Sequence, residues 1–169
     1  MRMFLAAACV AAILGAAAAP AADIVRHQLT PPGLILQSAT VPAGAEMLYL
    51  SGQLASPIDP AKKPAPGAPL TRADYGDTKT QTISALTNMK QVLAERGYKM
   101  SDVITMMTYL AADPELGGKL DTAGYNEGFK MFFKTAENPE TVTRASVQVA
   151  ALVNPALLVE IVVVAAKNR

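Results

Sequence analysis

Leu157–Ala165 is a nine-residue aliphatic run interrupted by one charge, Glu160. Such a run reads as a strand buried on both faces, so the chain is expected to build a sheet around it. A carboxylate in that setting is costly unless it is solvated, partnered or used. Glu160 is therefore the first candidate functional residue.

The rest of the chain supplies partners for that strand. Leu34–Val41 and Met47–Ser51 read as strands, the second bounded by Ala43-Gly44 and Gly52. Residues 54–73 carry five prolines and read as a long exposed loop, a solvated insertion or a lid over a nearby site. Residues 77–96 predict a helix with Ala85, Leu86, Met89, Val92 and Leu93 on one face and Gly97 as its stop. Val103–Leu110 follows as a strand, and the methionines at 89, 106 and 107 read as core filler. A second helix begins at Asp121 or Thr122, with Tyr125, Phe129, Phe132 and Phe133 as its buried stripe. Thr143–Ala150 alternates, placing Arg144, Ser146 and Gln148 on one face and Val147 and Val149 on the other. Asn154-Pro155 suggests a hairpin into the last strand. The order is β-β-α-β-α-β-β, an α+β domain with a mixed sheet and two helices on one face.

Composition removes several functions. Residues 1–22 resemble an export signal: Arg2, an apolar stretch from Phe4 to Ala19, then Ala19-Pro20-Ala21 as a cleavage site. The stretch is short for a membrane span, so export, with periplasmic residence, is expected rather than stable membrane insertion, an uncleaved N-terminal anchor being the main rival. The domain is then residues 23–169. Cleavage removes Cys9, the sole cysteine, and excludes disulfides and thiol nucleophiles. It also removes Arg2, leaving 14 basic residues of the original 15 against 14 acidic ones. A neutral chain lacks the clustered charge that a nucleic-acid surface needs. His27 is the only histidine, so neither a histidine-based metal site nor a serine–histidine relay forms within one chain.

Four residues remain as a candidate site. Arg144 carries a permanent charge whose donors match both oxygens of a carboxylate. Gly52, beside Ser51 at a strand end, lets a ligand approach bare backbone. With Glu160 they suggest a small site for a substrate bearing a carboxylate. A structural ion pair would also account for Arg144, and a partnered strand carboxylate for Glu160.

Ser51-Gly52-Gln53, Ala85-Leu86-Thr87-Asn88, Ser101-Asp102-Val103, Tyr125-Asn126 with Phe132-Phe133, Thr143-Arg144 and Val159-Glu160-Ile161 occur in that order. Together, over residues 45–166, they resemble the RidA (YjgF) family. The resemblance implies a chorismate-mutase-like fold, a homotrimer with clefts between subunits, and hydrolysis of enamine/imine intermediates to 2-keto acids and ammonia without metal or cofactor. It further implies that Arg144 clamps the substrate carboxylate and that Glu160 positions the attacking water as the catalytic acid–base. Ser51, Gly52 and Ser146 line the cleft, Ser146 standing where many members have cysteine. Asn88 and Asn126 match recurring asparagines, read as structural, and Gln148 is expected to face solvent. Ile35-Leu36-Gln37-Ser38 replaces the family's tyrosine-bearing segment, which leaves a second reading: a trimeric module that binds small carboxylates or keto acids without hydrolysing them.

Overall fold

The computed structural model describes residues 22–168. Apart from Ala22, the expected export segment lies outside them. Eight elements follow in order: β1 (Val25–Gln28), β2 (Leu36–Thr40), β3 (Glu46–Leu54), α1 (Thr78–Glu95), β4 (Val103–Ala111), α2 (Thr122–Lys130), β5 (Thr143–Val149) and β6 (Val159–Lys167). β1 is an addition to the expected order, a four-residue strand paired antiparallel with β2.

The main sheet runs β3-β6-β4-β5. β6 is antiparallel to both of its neighbours, whereas β4 and β5 are parallel. The sheet is therefore mixed, as expected, but Asn154-Pro155 does not make a hairpin. β4 lies between β5 and β6, so the connection steps over a strand.

Both helices cover one face. Ala85, Leu86, Met89 and Leu93 of α1 and Tyr125 and Phe129 of α2 meet Leu50, Met106, Leu110, Val159, Ile161 and Val163 from the sheet. Each large apolar side chain buried there stabilises the fold by about 1.5–3 kcal/mol. Asp77 caps α1 by accepting from the Thr80 amide at 2.8 Å, and Gly97 ends it with φ +74°. α2 stops at Lys130, one turn earlier than the aromatic stripe implied, so Phe132 and Phe133 lie in the turn beyond it.

The opposite face departs from expectation. β6 alternates from Val159 to Val164, with Val159, Ile161 and Val163 buried and Glu160, Val162 and Val164 only half-buried. It is not covered on both sides. Tyr49 is 74% exposed, and Met47, Met107 and Val147 lie 37–42% exposed among the described residues. Met107 is thus not core filler, unlike Met89 and Met106. The proline-rich stretch after β3 runs over the surface, tied down by Lys62–Asp74 and Arg72–Glu115 ion pairs.

One polar side chain joins the layers. Gln81, fully buried on α1, donates to the Gly76 carbonyl at 2.9 Å and accepts from the Leu158 amide at 2.7 Å. It holds the start of β6 under α1. Gln81→Leu preserves volume but leaves those backbone groups without partners, and should lower stability by about 2–4 kcal/mol in urea unfolding.

Candidate functional site

In the polar row of β5, Arg144 is half-buried on the helix side of the sheet, whereas Ser146 and Gln148 farther along are exposed. Register places Arg144 opposite Met106 and Ser146 opposite Thr108, both buried under the helices. The Arg144 guanidinium carbon sits 4.9 Å from the Tyr125 ring centre and 4.6 Å from that of Phe129, successive faces of one α2 stripe. Asn126 Oδ1 accepts from Arg144 Nη2 at 2.8 Å. Nη1 is buried and has no hydrogen-bond partner, and Arg144 forms no ion pair among the described residues.

This arrangement is a guanidinium held by rings and one amide, with donor capacity left over. A buried donor without a partner is costly, and a carboxylate is its best remedy. Asn126 is structural, as expected, and what it holds is the Arg144 side chain. Tyr125 seals the inner side: its hydroxyl lies 2.6 Å from Thr108 Oγ1 and 3.4 Å from Met106 Sδ. Burial raises its pKa above 10.0, and the Arg144 charge offsets part of this. The phenol is neutral at pH 7. Ser146 lies on the same face and bears on that phenol.

Glu160 stands on the other face. It pairs across the strands with Tyr109, whose neighbours in register on β6 and β4 are Val162 and Met107. Between Leu50 and Gln53, β3 takes one residue more than β6 does, a bulge at Ser51-Gly52. The bulge brings bare backbone beneath the carboxylate. A Cβ added at Gly52 would overlap Oε1 of Glu160 and lie 2.8 Å from its carboxyl carbon. Glu160 forms no hydrogen bond or ion pair among the described residues, and it opens on a shallow hollow of about 360 Å³ walled by Tyr109, Val149, Leu152 and Val162. Ser51 is exposed on the bulge, its carbonyl accepting from Gln53 Nε2 at 3.0 Å.

Within one protomer, then, the expected site divides. Arg144 and Ser146 lie on the helix side, Glu160, Gly52 and Ser51 on the other. Alternation explains this: each acid or base faces wherever its strand's pleat sends it, and no single sheet brings the two together. Asn88 is structural, as expected, donating to the Leu54 carbonyl at 2.9 Å and holding the strand that carries Gly52. Gln148 does more than face solvent, reaching the Gly118 carbonyl at 3.4 Å. Sequence reasoning passes over Tyr109 and places Tyr125 in the buried stripe but not in the site. Cross-strand register, not spacing along β4, puts Tyr109 on the face of Glu160. No group of three or more metal-ligating side chains occurs among the described residues.

A family profile described as Endoribonuclease L-PSP matches residues 38–167. The chain belongs to this family, known also as Rid/YjgF. A RutC family protein of Saccharolobus solfataricus is 29% identical over 123 residues, spanning 73% of this chain and 81% of its own length. The Rid family member YyfB of Yersinia pestis shares the fold at TM-score 0.57 and 22% identity, covering 79% of this chain and 87% of its own. Escherichia coli TdcF, solved with bound serine, superimposes at TM-score 0.54 with 26% identity, covering 85% of this chain and 94% of its own. The α+β architecture with two helices on a mixed sheet is therefore that of Rid/YjgF structures.

Gly52→Ala tests the bulge contact. Because the clash is with a flexible side chain, the fold should survive within about 1 kcal/mol while a crystal structure shows the Glu160 carboxylate swung away from residue 52.

Proposed function

We propose that this Rid family protein hydrolyses 2-imino acids, and the enamines in equilibrium with them, to 2-keto acids and ammonia, at sites formed between copies of the chain. The observation that carries this reading is the Arg144 guanidinium, caged by Tyr125, Phe129 and Asn126 with Nη1 unpartnered. It suits a substrate carboxylate, and the serine bound to the relative TdcF carries one.

Glu160 must come from a second copy. Arg144 and Glu160 occupy different surfaces, so copies meeting head to tail would join one copy's guanidinium to the next copy's carboxylate and close into a ring. The homotrimer expected from the family satisfies that geometry. The outer face, with Met47, Tyr49, Met107 and Val147 exposed, offers apolar area for the contact.

The chemistry is short. Arg144 binds the carboxylate, and Glu160 accepts a proton from water as its oxygen adds to the carbon of the protonated imine. Glu160 returns that proton to the nitrogen of the resulting carbinolamine, ammonia departs as the hydroxyl gives its own proton to Glu160, and that proton leaves with the ammonia as ammonium, freeing the keto acid. Ser51, Gly52 and Ser146 line the space. Acid–base assistance of this kind contributes about 10²–10⁴-fold, and positioning supplies the larger share. No cofactor or metal enters the scheme.

A second reading keeps the carboxylate site but omits hydrolysis, and one observation favours it: Gln37, in the segment that replaces the family's tyrosine-bearing one, is an exposed residue of β2. Ammonia release from freshly generated 2-aminoacrylate separates the two. Arg144→Ala should nearly abolish release while leaving the oligomer intact, and binding of 2-ketobutyrate without any release by the wild type would select the second. Mixing inactive Arg144→Ala and Glu160→Gln copies should restore activity, to about a quarter of wild type by random assortment, because some interfaces then carry both intact groups. Failure to restore any activity would place the site within one copy.

Export is the natural setting for the mature chain, on the strength of Arg2, the apolar stretch and Ala19-Pro20-Ala21. N-terminal sequencing of protein from the periplasmic fraction should begin close to Ala22; an intact Met1 there would reject cleavage.

A further inference from the structure

The reacting carbon of a 2-imino acid bears a carboxylate, a nitrogen and a side chain. Arg144 and Glu160 serve the first two and leave the third without a place. The surroundings of Glu160 supply one. On the β3 side its carboxylate lies over the bare backbone of Gly52, so closely that a Cβ there would overlap Oε1. Its open side is therefore the one toward β4 and β5, where the hollow of about 360 Å³ lies. That volume is at the lower end for small-molecule sites and far exceeds what a methyl group fills.

The lining is almost wholly aliphatic. Val149, Leu152, Val153 and Val162 form its wall, and Tyr109 stands directly across the strands from Glu160. Among the described residues, no lysine, arginine or second acid lines it, and the Tyr109 hydroxyl is the one polar side-chain group there besides Glu160. The wall is also held in place. Leu152 packs against both apolar clusters of the protomer. Asn154 closes the turn beyond it, its carbonyl accepting from the Leu157 amide and its Oδ1 from the Ala156 amide, each at 3.0 Å. Val149 is paired with Ala111 at the end of β4. Tyr109, Val149, Leu152 and Val162 are all half-buried, so the concavity is partly desolvated before anything enters it. Such a surface gains when apolar groups cover it and loses when a polar group is buried there without a partner.

We propose that this hollow receives the side chain of the substrate, and that the preferred substrate is a 2-imino acid with a branched aliphatic side chain such as leucine carries. The assignment rests on reading Arg144 and Glu160 as one site between copies, and adds a selectivity that this reading does not contain. A methyl side chain leaves most of the wall wet. A carboxylate side chain faces Glu160, and a carboxamide gives up its hydrogen bonds to water against Val149, Leu152 and Val162.

The test starts from binding, which needs no turnover. In calorimetry with the full chain, 4-methyl-2-oxopentanoate should bind at least about tenfold more tightly than pyruvate, and about tenfold more tightly than 2-oxosuccinamate, its near-isostere with a carboxamide. Val149→Trp fills the hollow from the end of the edge strand β5 and should cut the preference over pyruvate by about tenfold. The wild-type ranking decides the matter even where that variant does not fold. Acceleration of ammonia release from imino acids generated in place from leucine and alanine should follow the same order. Equal affinity for the three keto acids, or a preference that a folded Val149→Trp retains, overturns the assignment even when imines are hydrolysed. Selective binding with no acceleration for any imine upholds the assignment and rejects the hydrolytic reading instead. No binding of any of the three overturns both.

Discussion

Parallel pairing of β4 with β5 needs a crossover, and α2 with the turn after it provides one. That requirement sets the chemistry of the molecule. The crossover lays α2 across the same face that receives alternate residues of β5, so Arg144 emerges beneath Tyr125, Asn126 and Phe129. A shift of one residue in register would turn Ala145 and Val147 inward and put the guanidinium on the outer face. The one charge of an edge strand is thus turned toward the helices, and Val147 becomes surface.

The second functional element depends on a local irregularity instead. The bulge at Ser51-Gly52 removes a side chain where Glu160 needs room, and it does so at the edge strand β3, next to β6. Asn88 ties the same strand to α1, which steadies the bulge from the core side. Pleat and bulge together give two half-sites on opposite faces, each with a charged group that has capacity to spare. In the proposed function, that division makes association between copies part of the chemistry rather than an accessory to it.

Periodicity made most of this fold legible. α1, α2, β4 and β5 follow from apolar spacing and capping residues, and Asp77, Asp121 and Gly97 mark ends where local hydrogen bonding favours them. β1 was invisible because its four residues are mostly polar and take their order from pairing with β2. The β5–β6 connection was misread because Asn-Pro signals a turn without saying which strands it joins. Leu157–Ala165 looked doubly buried since valines suit either a covered face or an open one; only neighbouring strands decide. Arg144, Glu160 and Gly52 were visible as residue types out of keeping with their surroundings. Their separation was not, because facing follows from sheet register, which spacing along one strand does not fix.

Tyr49, Met47, Met107 and Val147 form the outward side of that sheet without contributing to the interior of the protomer. Substitution on this row therefore leaves folding almost untouched and alters chiefly what the surface will adhere to. Drift in such positions is cheap for the individual subunit and expensive for any assembly built on it. Two lineages with one tertiary structure can diverge in quaternary partnership through a handful of codons here, long before the scaffold itself records the change.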